Sequence, residues 1–204
     1  MKKIFYLMTI ILLFFSCKKN DTVINYYENG NLKEKSTKIG DTVTFEEYYQ
    51  NGYLKIEGKL FKDKPVGVWK RYNEENKSLK EISEFIIDEE KSFKNQQIFF
   101  NNDKTIDYSK SIFYQIINDT LRYHSPLDTL NSKLQRNREI KLISYYNGKE
   151  KEVSFKEKVA IRGYSFPVFI LESVSIELDS MVDGESLTRL INRQLLVTRK
   201  NIYK

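Results

Sequence analysis

The sequence predicts an all-β protein: a sheet of β-hairpin repeats followed by a small β-sandwich-like domain. Two observations carry this. In the first third, a tyrosine-rich segment closed by an Asn-Gly pair returns after 22 residues. Beyond residue 111, about seven short strand-like runs alternate with turn residues, a spacing that suits a sandwich better than an α/β fold.

In chain order, the first element is a leader. Lys2 and Lys3 precede Ile4 to Phe15, twelve residues that are apolar apart from Thr9. A basic start followed by a short apolar run is the pattern of a secretory signal, and it falls well short of the ~20 residues that span a bilayer core. The segment ends Phe14-Phe15-Ser16-Cys17, and Cys17 is the single cysteine of the chain. A signal that closes on a small residue and a cysteine resembles the lipobox of bacterial lipoproteins, with Phe14 standing where leucine is usual. The resemblance implies that residues 1–16 are a lipoprotein signal peptide and that Cys17 becomes the acylated N-terminus, carrying lipid chains such as palmitate. Residues 17–24 are then a tether. Several acyl chains exceed the two anchoring signals that stable attachment needs, so the lipid bilayer is the first expected partner. An ordinary free or buried cysteine is the alternative reading of Cys17.

Without residues 1–16 the chain keeps 188 residues, with 32 basic and 28 acidic side chains, a net charge near +4. That length supports one large domain or two small ones. The charges are interspersed, with no run of five or six like charges, so nucleic acid is not an expected partner. One cysteine excludes an intrachain disulfide, and stability must come from packing.

The repeats come next, over residues 25–105. Tyr26-Tyr27-Glu28-Asn29-Gly30-Asn31-Leu32-Lys33 returns as Tyr48-Tyr49-Gln50-Asn51-Gly52-Tyr53-Leu54-Lys55, and a looser third copy starts at Tyr72 with one extra residue in its turn. Asn-Gly between strand-like segments predicts hairpins with type I′ turns at Asn29-Gly30 and Asn51-Gly52. One hairpin cannot bury its own apolar stripe, so the copies are expected to stack side by side in a continuous sheet. Tyr49, Tyr53, Trp69 and Tyr72 are read chiefly as rings that make the thin core of that sheet, with an exposed binding strip as the alternative.

The stretch from Gly58 to Tyr72 contains Gly58, Phe61, a charged turn, Gly67, Trp69 and Tyr72. Together with the Asn-Gly units it resembles the MORN-repeat variant found in bacterial lipoproteins, over roughly residues 25 to 90. Pro65 stands where that family often has a charged residue, and the first unit has Phe45 in place of tryptophan. The resemblance implies a hairpin-repeat fold. Some members of the family carry an antitoxin label, which an export signal makes a poor fit for a cytoplasmic toxin.

Residues 81 to 100 hold two more strand-like runs, read as hairpins that cap the array, and a soft domain boundary is expected between residues 100 and 111. The C-terminal domain, residues 106–204, is expected to contain strands at Ile112–Ile117, Leu121–His124, Glu139–Tyr146, Glu150–Lys156, Phe166–Val174, Ser175–Asp179 and Leu187–Arg199. Asn147-Gly148 is expected to join the third and fourth. The run Leu187 to Val197 also partly suits a helical period, with strand favoured for Gln194 to Arg199.

Chemistry is sparse. His124, the one histidine, stands in Tyr123-His124-Ser125-Pro126-Leu127-Asp128, where base, nucleophile and acid types occur side by side. Triad members normally converge from separate segments, so this adjacency is poor evidence for hydrolysis. One histidine and one lipidated cysteine do not supply a zinc set, and no calcium loop or phosphate loop is present in the sequence. No catalytic residue, metal or cofactor is expected, and the chain reads as a non-enzyme.

The leading expectation is a membrane-tethered envelope lipoprotein that acts as a binding or scaffold module for a protein partner. Lys18-Lys19-Asn20-Asp21 is not an acidic surface-export signal, which favours the outer membrane facing the periplasm. An antitoxin or immunity-type protein is the first alternative. An envelope hydrolase with a carboxylate pair in the C-terminal domain is the second.

Overall fold

The computed structural model describes residues 21–126, 135–146, 149–182, 185–198 and 201–203. They form fourteen antiparallel strands in three sheets. Strands β1 (Asp21–Tyr26), β2 (Leu32–Ile39), β3 (Thr42–Tyr48), β4 (Leu54–Phe61), β5 (Lys64–Tyr72), β6 (Leu79–Asp88) and β7 (Lys91–Phe99) make one seven-stranded meander in sequence order. Strand β1 starts at Asp21, so the sheet takes up the last four residues of the expected tether.

The turns are placed differently from the sequence expectation. At the Asn-Gly sites the loop has three residues: Tyr27 N donates to Asn31 O, Gly30 N donates to Tyr27 O, and Gly30 has φ +82°. Asn29 is not among the positive-φ residues, and its Oδ1 instead accepts from Asn31 N at 3.1 Å. This is a type I turn closed by a glycine bulge, not a type I′ turn, and Asn51-Gly52 repeats it with φ +85°. The two-residue turns with both φ positive occur at the opposite end of the sheet and beyond it, at Lys62-Asp63, Glu89-Glu90 and Asn118-Asp119. Closing two strands over two residues demands left-handed φ whatever the residue types, and strand pairing imposes it on lysine and glutamate here. The third copy has its extra residue, with Lys77 at φ +55° in the glycine position. A fourth loop, Asn101 to Thr105, repeats the hydrogen bonds of the first two, with Lys104 at φ +69° and Asp103 in the asparagine role.

The C-terminal part is a sandwich. A three-stranded sheet, order β12-β9-β8, contains β8 (Phe113–Ile117), β9 (Thr120–His124) and β12 (Lys158–Ala160). A four-stranded sheet, order β11-β10-β13-β14, contains β10 (Gln135–Tyr146), β11 (Lys149–Ser154), β13 (Val168–Val182) and β14 (Glu185–Val197). The runs Phe166–Val174 and Ser175–Asp179 are one strand, β13, because both edges are paired by β10 and β14 across Val174 and Ser175. Residues 187–197 lie in β14, which overturns the helical alternative: alternation, not a 3.6 period, puts Leu195 and Val197 inside. The turn residues Asn147-Gly148 lie outside the described residues, although Tyr146 pairs with Lys149 across them. Tyr114, Leu121, Tyr123, Ile140, Leu142, Ile161, Val168, Ile170, Leu195 and Val197 form the common core.

Sheet and sandwich are joined by a second core and by side chains that imitate a strand. Ile82 and Ile98 from β6 and β7 pack with Phe113 from β8. Asn95 on β7 is buried and bonds both backbone groups of Leu196, donating to its O at 2.8 Å and accepting from its N at 2.7 Å. Gln96, fully buried, accepts from Tyr114 N at 3.0 Å and donates to Glu84 at 2.8 Å. An amide side chain carries one donor and one acceptor group, so it can stand in for a backbone peptide where two sheets abut.

Candidate functional site

The repeat residues act mainly as stitches. Tyr27 Oη donates to Tyr48 O at 2.7 Å, and Tyr49 Oη donates to Tyr72 O at 2.9 Å, one repeat further along. Asn29 and Asn31 both donate to Gln50 O, and Asn51 reaches Glu74. Tyr48 and Tyr72 bond Glu46 and Glu57 in their own units, so these hydroxyls are satisfied within the sheet. Burial followed by the Glu57 bond pushes the Tyr72 hydroxyl up to about 12. Tyr26 is 61% exposed and adds nothing to a core.

Trp69 has a separate role. One residue of β4, Gly58, lies opposite three of β5, Gly67 to Trp69, and Gly67 takes φ +67° in that bulge. The bulge turns the indole over Gly58, where an added Cβ would lie 2.1 Å from Cδ2. Phe45 and Phe85 flank the ring at centroid distances of 5.8 and 6.2 Å. Glycine is required at 58 because the indole occupies the space a side chain would fill. Of the four rings expected to make the core of the sheet, Trp69 lies in this row, whereas Tyr53 is exposed.

Cys17 lies outside the described residues, as does Asp128. His124 Nε2 is 2.8 Å from Tyr108 O, and Ser125 Oγ accepts from Arg193 at 2.8 Å. The serine is buried, with its hydroxyl oxygen held by Arg193.

The sandwich carries a concave site that the sequence reading does not contain. It is a cleft of about 770 Å³, within the usual range for small-molecule sites. Its described lining residues include five cationic or imidazole side chains, four rings and one carboxylate, Glu157. Along β9, Leu121 and Tyr123 alternate onto the core side and Arg122 and His124 onto the other, and the cleft meets both sides, reaching Tyr123 as well as Arg122 and His124. Strand pairing sets Lys158 and Gln115 on either side of Arg122, and Phe113 beside His124. The Tyr108, Phe113 and His124 rings pack together, with centroids 4.9 to 6.2 Å apart.

Behind this cleft is a buried ionic knot. On β13, Val168, Ile170, Glu172 and Val174 alternate onto the core face, so a carboxylate occupies an apolar position. Glu172 faces Arg193 across β14 and Arg138 diagonally across β10. Arg138 donates through Nε at 2.9 Å and pairs through Nη2 at 2.7 Å with Oε1, while Oε2 accepts from Tyr123 Oη at 2.8 Å and lies 3.6 Å from Arg193. Burial, then the Glu172 charge, pushes the Tyr123 hydroxyl far above its ordinary range. Both Glu172 oxygens are thus engaged, and Glu157 is the carboxylate among the described lining residues. The alternation around Glu172 is readable in the sequence; its partners are not.

Among the described residues no group of histidine, cysteine and carboxylates is arranged to hold a metal, and no helix is long and apolar enough to cross a membrane. No protein-family model matches the chain, no curated protein matches it, and no solved structure matches it.

Proposed function

We propose that this chain is a lipid-tethered envelope lipoprotein that holds a binding domain away from the membrane and performs no reaction. The supporting observation is the sheet order: β1 follows Cys17 by three residues and forms one edge of the seven-stranded sheet, while the sandwich is joined at β7, the opposite edge. Six strand spacings of ~4.8 Å separate those edges by about 29 Å. A single-layer sheet that contributes little core of its own is suited to act as a spacer, and MORN-like repeats are a simple way to build one. The cleft at the far end is then the part presented to a ligand or partner. The export signal and the absence of an acidic run after Cys17 favour the outer membrane, facing the periplasm.

The test is Cys17→Ala. The unsubstituted chain should fractionate with membranes and incorporate labelled palmitate. The variant should lose the label and leave the membrane fraction, and unchanged fractionation without label in either form would overturn the tether.

A further inference from the structure

We propose that the cleft of the sandwich binds a phosphate monoester attached to an apolar group, with Arg122, Lys158 and Lys156 taking the phosphate and Tyr108 the apolar part. Lys158 and Arg122 are direct cross-strand partners on one face, where side chains stand ~5 Å apart and like charges repel. Neither of them, nor Lys156, pairs with a carboxylate among the described residues. On the repeat sheet Lys35, Lys55, Lys70, Arg71 and Lys94 each meet a glutamate; what distinguishes the cleft is that its cations stand together on one concave surface. Arg138, the other arginine of the cleft, is held by Glu172, which it shares with Arg193.

Charge then selects the ligand. Three cations with no carboxylate partner among the described residues face the single carboxylate Glu157, an excess of positive charge that suits a phosphate monoester, which carries about −1.5 to −2 at pH 7. A guanidinium flanked by an ammonium and by the Gln115 amide offers both forked and point donors to phosphate oxygens. The apolar half of the site is the ring wall. Tyr108 is 53% exposed, yet its place is set by the contact of its own carbonyl with His124 Nε2 and by the Phe113 ring. A held, exposed ring beside a cationic row is a stacking surface with an anion site next to it.

The proposal rests on the sandwich being the presented binding end, but not on the lipid anchor. The test is calorimetric titration of the detergent-solubilised full chain with phenyl phosphate, inorganic phosphate and dihexanoyl phosphatidic acid. Phenyl phosphate or the short phosphatidic acid should bind at least tenfold more tightly than inorganic phosphate. Tighter binding of the first identifies a soluble ligand, and of the second a lipid headgroup; either supports the site. Arg122→Gln and Lys158→Gln should each weaken binding by tenfold or more while leaving the thermal midpoint unchanged or higher, since a like-charge pair is relieved. Tyr108→Ala should remove the preference over inorganic phosphate. Equal affinity for inorganic phosphate, no binding of any probe at millimolar concentration, or an equal loss from Lys149→Gln outside the cleft would overturn it. A failed tether at Cys17 leaves this titration intact, so the two readings fail separately.

Discussion

Replacing Glu172 tests whether the sandwich depends on its buried ionic knot. The side chain is fully buried and receives Arg138 through two nitrogens and Tyr123 through its hydroxyl, with Arg193 at 3.6 Å. Breaking a buried ion pair by removing one partner costs about 3–5 kcal/mol, because the remaining charge has lost its compensation. Here two guanidiniums would remain, but their side chains are 20% and 29% exposed, and partial hydration moves the cost toward the lower end. Glu172→Gln keeps the shape and one acceptor oxygen, so about 3 kcal/mol is expected; Glu172→Leu should cost more. For a chain of this length, 3 kcal/mol corresponds to a fall of about 6–12 °C in Tm, measurable by near-ultraviolet circular dichroism. If Glu172→Leu were as stable as the parent, apolar packing would be compensating for both arginines and the reasoning would be wrong.

Gly58→Ala should displace the Trp69 indole from its place between Phe45 and Phe85. Two aromatic contacts at ~0.5–1.5 kcal/mol each suggest a loss of about 2 kcal/mol and a red shift of the single tryptophan's emission; unchanged emission would refute the close approach. At high pH the tyrosine hydroxyls give a second signal. Tyr72, at about 12, and Tyr123, higher still, hold their protons in the fold above the ordinary value of ~10 that they take when unfolded. Their stabilising contribution is therefore complete below pH ~10 and falls as pH rises beyond it, and an absorbance titration should show tyrosines that ionise only with unfolding.

Local chemistry made the strand content and repeat period legible. Tyr48-Tyr49-Gln50-Asn51-Gly52 announces its own turn, although the asparagine serves as a side-chain acceptor rather than as a left-handed residue. Lys62-Asp63 and Glu89-Glu90 carry no such signal, since their φ values are imposed by the strands they join. Asn101-Asn102-Asp103-Lys104 is legible as a turn cluster but not as a fourth copy of the Asn-Gly loop, because Lys104 replaces glycine at the left-handed position.

By itself the sequence determined that the chain is all-β, that its first part is a hairpin array and its second a separate group of strands, and it supplied the case for Cys17 as an anchor. Alternation and turn residues act over a few positions, so they can be read in one dimension. Only the tertiary structure decided that Gly58 is a seat for Trp69, that Asn95 and Gln96 join sheet to sandwich, and that Lys158 stands beside Arg122 above a cleft. Each of these depends on register between strands, which no local pattern encodes, and the proposed binding site exists only where that register brings cations to one face.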